Sequence, residues 1–269
     1  VLEELVRRFD PRVAVAALTA SATAIGTARI FLGTRPDFVV SPSTSLPPGS
    51  ALVFVLLGLV AGALAALYQT LTIRLLTWTD RWRRCPVELR AMGVGAAVGV
   101  VAWFAPGWVG GGDRITQQTL GGAFDPPMIV CLLLFRFCLG PVSYAAGTPG
   151  GIFAPMLVVG AQVGWLFALA CPVWLRMGMS PESFAVVGMA AFFIGVVRAP
   201  LTGILLIVEL TDASTLLLPL LAAGASAMLV PALLRLRPIY EVLKDRTLAA
   251  EARARTEAKP ETDPGGATN

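Results

Sequence analysis

The segment Gly147-Thr148-Pro149-Gly150-Gly151-Ile152-Phe153-Ala154-Pro155 has the residue types and spacing for one particular chemistry, anion binding by the backbone. Gly150 and Gly151 permit a tight turn through backbone angles closed to most residues. Pro155 suits the first turn of a following helix, where a missing N–H matters least. The amides just after the glycines then lack intrahelical partners, with the positive end of a helix dipole behind them. Such amides hold an anion without any full positive charge. The absence of Lys and Arg from the segment also lets the ion leave again. Glycine and proline content alone fit a plain loop between two helices just as well.

Other chemistries are excluded by composition. There is no histidine, so zinc-protease helices, Ser-His-Asp triads and Cys-His dyads are ruled out. No paired carboxylates take their place. An enzyme is therefore not expected, and neither a metal site nor a cofactor is called for. The four cysteines, Cys85, Cys131, Cys138 and Cys171, show no CxxC spacing and read as packing residues. The net charge of +4 is modest. It fits positively charged loops of a membrane protein rather than a nucleic-acid footprint.

The elements around the glycine segment must sit in lipid. Apolar residues make up 56% of the chain and charged residues 14%, against about 25% charged in average soluble domains. Mean hydropathy is +0.74. Residues 51–73, 91–112, 137–175 and 213–234 carry no charge at all, and about 20 apolar residues suffice for a helical crossing. Spans are predicted at 12–33 (crossed by Arg29), 51–80, 87–104, 127–145, 153–175, 182–197, 199–211 and 214–234. A Pro/Ser-rich loop is expected at 34–50, a short polar segment at 113–124, with Asp113 and Arg114 in a surface turn, and breaks at 105–112 and 147–151. As one helix, 137–175 would extend about 58 Å, almost twice the roughly 30 Å apolar core, so it must break, and GTPGG is the place. The elements at 182–197 and 199–211 are too short for full crossings, the pattern of transporters that build sites from broken helices. Arg198 and Glu209, read on one helix about 16 Å apart, are too distant to pair and are given structural roles. Arg7, Arg8 and Arg12, then Arg81, Arg83, Arg84 and Arg90, and the tail bearing Arg235, Arg237, Lys244 and Arg246 are all expected on the cytoplasmic side. The N-terminus, VLEELVRRFD, has charges where a signal sequence needs an apolar stretch. Beginning at Val1, it reads as a piece with further sequence upstream.

Three separated motifs resemble one family. GTPGGIFAPML (147–157) resembles the GxxGGxFxP signature of the CLC chloride channels and chloride/proton antiporters. RAPLTGILLIVELTD (198–212) resembles a second signature of that family, and PIYEVLKDRTL (238–248) the start of its final cytoplasmic helix. Order and spacing agree, and the resemblance covers the chain up to about residue 250. It implies an all-α membrane protein, a CLC-type inverted-repeat bundle of tilted, broken and re-entrant helices. Residues 1–250 would hold the second repeat plus the last part of the first, and 251–269 a disordered cytoplasmic tail. It further implies a homodimer in the lipid bilayer with one anion path per subunit, exchanging chloride and protons, and completed by an N-terminal half of the same protein. Chloride would be the transported ligand, bound by backbone groups of Gly150, Gly151, Ile152 and Phe153 and by the Tyr240 hydroxyl. Without the resemblance, Tyr240 would read as an interfacial anchor. VLEEL at 1–5 resembles the antiporters' internal proton-relay segment and assigns that role to Glu4, which otherwise reads as part of a charged helix end. The first-repeat motifs of the family, which shape anion choice, are not in this sequence. The short tail favours a prokaryotic plasma-membrane form with a cytoplasmic C-terminus. Two alternatives stand beside it: a transporter for another class of anion, and a non-transporting scaffold or pore remnant.

Overall fold

The structure, a computed structural model, describes residues 11–33, 36–41, 47, 49–81, 86–147 and 151–257. The described residues form helices and connections only. In order these are α1 (Pro11–Leu32), α2 (Ser50–Arg81), α3 (Val87–Phe104), α4 (Asp113–Leu120), α5 (Pro126–Ala145), α6 (Phe153–Ala170), the short α7 (Val173–Arg176), α8 (Pro181–Val197), α9 (Pro200–Thr211), α10 (Leu217–Leu233) and α11 (Ile239–Glu257). Among the described residues, six helices are long and apolar enough to cross a membrane.

Apolar side chains gain little by leaving lipid for one another, so helices in a bilayer associate through close packing of small residues. Two crossings here follow that rule. Gly58 and Gly62 of α2 lie on the backbone at Ala223 and Ala227 of α10, where an added Cβ would come within 2.3 and 2.4 Å of the two carbonyl oxygens. Gly160 and Gly164 of α6 lie in the same way on Gly188 and Phe184 of α8. Residue numbers rise together in the first pair and oppose in the second, so α2 and α10 run parallel and α6 and α8 antiparallel. Phe54 on Phe184 and Tyr68 on Phe192, with centroids 5.0 and 5.6 Å apart, make α2 and α8 parallel as well. Around these contacts lies one continuous core, with every residue of α8 from Ser183 to Val197 buried.

The bundle has two distinct ends. At one, the segment 36–41 ties three elements together: Phe38 N–H donates to Leu210 O (2.9 Å), Ser41 N–H to Glu182 Oε1 (2.9 Å), and Val39 exchanges two bonds with the Gln117 side chain (2.9 Å each). At the other, Arg90 Nη1 donates to Thr79 O (2.9 Å), and Arg246 pairs with Asp80. The second end thus gathers the close of α2, the start of α3 and the shaft of α11.

Most helices fall where the sequence puts them, with four departures. Residues 113–120 are a helix and not merely a polar segment. Asp113 and Arg114 are exposed in its first turn, while Ile115, Thr116, Thr119 and Leu120 form a buried face. Arg198 and Glu209 do not share a helix. Arg198 closes α8 in the left-handed conformation (φ 64°), which stops the helix, and Nη2 donates to Pro231 O (3.0 Å); Glu209, on α9, lies 3.8 Å from Arg29 of α1. The final helix continues through Glu257, past residue 250 where a disordered tail is expected, because AAEARARTE consists largely of strong helix formers. Cys131 and Cys138 are free and exposed on α5 rather than packed.

Candidate functional site

Depth is what distinguishes the start of α6. Its first ring, Phe153, packs edge-on against Phe193 of α8 (centroids 5.5 Å apart, 82° between planes). Two residues further along α8, a Cβ on Gly195 would meet the Ala65 side chain at 2.8 Å. Ala65 lies midway along α2, which runs from residue 50 to 81 and spans about 48 Å. Helix α6 therefore begins near the middle of the bundle, not at a membrane surface. Helix α8 ends and α9 begins at the same level, since Gly203 packs on Phe193 and Ile194. Helix ends at such depth persist only where protein or a water-filled cavity satisfies their backbone.

The α6 start is built as the residue types dictate. Ile152 is the N-cap (φ −88°, ψ −6°) and its side chain supplies no capping oxygen. The first backbone bond of the helix runs from Met156 N–H to Ile152 O at 3.2 Å. Pro155 has no N–H, so the amides of Ile152, Phe153 and Ala154 have no acceptor in their own helix. Ile152 is buried, Phe153 half-buried and Gly151 exposed. Gly150 lies outside the described residues, as does Glu4.

Tyr240 stands in the first turn of α11. Its predecessor Ile239 is fully buried, and the Tyr240 ring packs on the same core as Phe153. Helix α11 touches α8, which also carries Phe193. The anchor holding this turn is Gln69 of α2. Fully buried, it donates from Nε2 to Arg237 O, just before α11. Replacing Gln69 with Leu should strand that carbonyl at a cost of about 1–3 kcal/mol. Hydrogen exchange at the amides of Tyr240 to Lys244 should then accelerate; unchanged protection would remove Gln69 from this role.

One residue beside the site has no place in the sequence reading. Arg136, in the middle of the apolar helix α5, is only 3% exposed. Nη1 donates to Gly110 O (2.7 Å) and Nη2 to Val109 O (3.1 Å). A cavity of about 150 Å³ separates it from Gly151, Ile152 and Pro155. The available signal was a single cation within an otherwise uncharged span, which marks a functional candidate by itself.

Known proteins resemble this chain in sequence and fold. The voltage gated chloride channel family profile matches residues 1–232. The H(+)/Cl(-) exchange transporter ClcA of Vibrio cholerae is 31% identical over 268 residues, covering 97% of this chain and 57% of that protein. The ClcA of Cronobacter sakazakii is 32% identical over 232 residues, covering 83% and 49%. Among solved structures, a slow cyanobacterial Cl-/H+ antiporter aligns with a TM-score of 0.77 at 30% identity, over 82% of this chain and 52% of that one. A CLC-type fluoride/proton antiporter, at 15% identity and a TM-score of 0.62, shares the fold alone. The chain spans about half the length of the curated relatives it matches. With its all-helical architecture and broken helices meeting at mid-depth, the chain belongs to the voltage gated chloride channel (CLC) family.

Proposed function

We propose that the complete protein exchanges chloride for protons across a membrane, with the anion held at the start of α6. The observation that carries this reading is a helix N-terminus at mid-depth, uncapped by its own side chain, with amides at Ile152 and Phe153 that have no intrahelical acceptor. By residue type Gly150 and Gly151 are assigned to the anion site with these amides, and the Tyr240 hydroxyl is the side-chain donor to the same ion. Both relatives named ClcA are exchange transporters of H(+) and Cl(-), which favours coupled exchange over passive conduction.

In this reading Glu4 passes protons from the cytoplasmic face, because a partly desolvated carboxyl can take up and release a proton. The pathway is completed by a first repeat outside this chain, and two subunits associate with one pathway each. The common end of α2 and α11 faces the cytoplasm of a prokaryotic cell, as its arginines favour.

Reconstitution of the complete protein in liposomes provides the test. An imposed chloride gradient should drive protons uphill, and Glu4→Gln should abolish that movement while sparing chloride flux. Coupling that survives Glu4→Gln would end the relay assignment. Absence of chloride flux, with another anion carried instead, would end the chloride assignment.

A further inference from the structure

Arg136 presents an electrostatic imbalance. Its guanidinium lies at the depth of the α6 start: the next residue, Phe137, packs edge-on against Tyr68 of α2 (centroids 5.3 Å apart), close to the midpoint at Ala65. A cation there loses most of its hydration and needs a counter-charge or an anionic partner. What it has among the described residues is two neutral carbonyls, Val109 O and Gly110 O, while Nε has no hydrogen-bond partner. Asp113, exposed in the first turn of α4, is the acid whose field reaches it, but it forms no ion pair with Arg136 among the described residues.

The space beside the guanidinium suits what is missing. The cavity of about 150 Å³ is lined by Arg136, Ser143, Tyr144, Gly151, Ile152 and Pro155, together with apolar and glycine positions, and no carboxylate among the described residues lines it. A water-sized occupant needs only about 10–15 Å³ of such volume. Two hydroxyl-bearing residues of α5 and the first turn of α6 thus face a space bordered by an incompletely bonded arginine. The cavity lies on the α5 side of that turn. Phe153 does not line it, because its ring is turned to Phe193 on the α8 side.

We infer that this cavity is a second anion station, in which the Arg136 guanidinium, assisted by Ser143 and Tyr144, holds a small monovalent anion on the α5 side of the α6 start. The station extends the proposed transport reading and rests on it: an ion held by a full charge here would stand beside one held only by amides. Two ions so close repel each other, which offsets the tighter grip of a guanidinium and lets the pair move on.

Bromide binding to the complete protein, located by anomalous diffraction, tests the station. Two peaks are expected, one at the Ile152 and Phe153 amides and one within hydrogen-bonding reach of the Arg136 side chain. A peak at the amides alone would overturn the station and leave the transport reading intact. A protein carboxylate from another segment occupying the cavity would also overturn it. No peak at either place would sink both. Arg136→Gln should remove only the cavity peak. Because Arg136 also holds Val109 and Gly110, Ser143→Ala serves as a second variant that leaves those bonds in place. It should weaken bromide at the cavity by about tenfold with the amide peak unchanged, and equal occupancy at both positions would count against the station.

Discussion

Replacing the Phe153 backbone amide with an ester should weaken chloride binding to the complete protein by roughly 10- to 150-fold. The substitution exchanges N–H for O and leaves the side chain in place. A hydrogen bond to a charged partner contributes about 1.5–3 kcal/mol, and about 1.4 kcal/mol is tenfold in affinity. Helix stability should change little, because this amide precedes the first intrahelical bond, from Met156 to Ile152. The same ester at Val159, whose amide lies well inside α6, removes a helical hydrogen bond and should destabilise the fold with less effect on affinity. Titration calorimetry decides between them. Equal affinities for the Phe153 ester and the parent protein would show that the ion does not sit on this amide.

The largest loss of stability is expected from Gly188→Leu. A Cβ there would stand 2.4 Å from Gly160 O and 2.9 Å from Gly164 N, both backbone atoms of α6. No rotamer relieves a clash with backbone, so the helices must separate, at a cost at or above the roughly 1–3 kcal/mol of ordinary overpacking. Phe153 would then lose its seat on Phe193, and anion binding should fall together with the unfolding midpoint. Gly95→Ala on α3, where nothing lies within 4 Å of the added Cβ, is the control. It should be neutral or slightly stabilising, since Ala favours a helix over Gly by up to about 1 kcal/mol. Comparable losses from both substitutions would refute the close-contact account.

Much of this arrangement is legible in the sequence, for identifiable reasons. Uncharged stretches long enough to cross lipid place α2 at 51–80, against Ser50–Arg81, and α5 at 127–145, against Pro126–Ala145. The length limit on 137–175 forces the break that the structure has between Ala145 and Phe153. The buried face of α4 is harder to read, because eight residues containing two threonines and two glutamines show little periodicity, and tertiary packing decides their state. The pairing of Glu209 with Arg29 is not local information: it joins α9 to α1. The division into helices at 182–197 and 199–211 is legible, but Arg198 reads as part of the second, because the left-handed non-glycine residue that closes α8 leaves no mark in the sequence. Arg136 was legible as a lone charge in an apolar span, whereas its neighbours Val109 and Gly110 came from a distant loop.

The glycine-lined crossings also constrain how such a protein can move. Where main chains touch without intervening side chains, as at Gly160, Gly164 and Gly188, there is no compliant layer to absorb sliding or tilting. Large rocking of α6 over α8 would open a gap that no side chain on either helix could refill. An exchange cycle of the kind proposed would therefore carry α6 and α8 as one rigid unit, with displacement taken up by side-chain rotamers or at contacts other than this one.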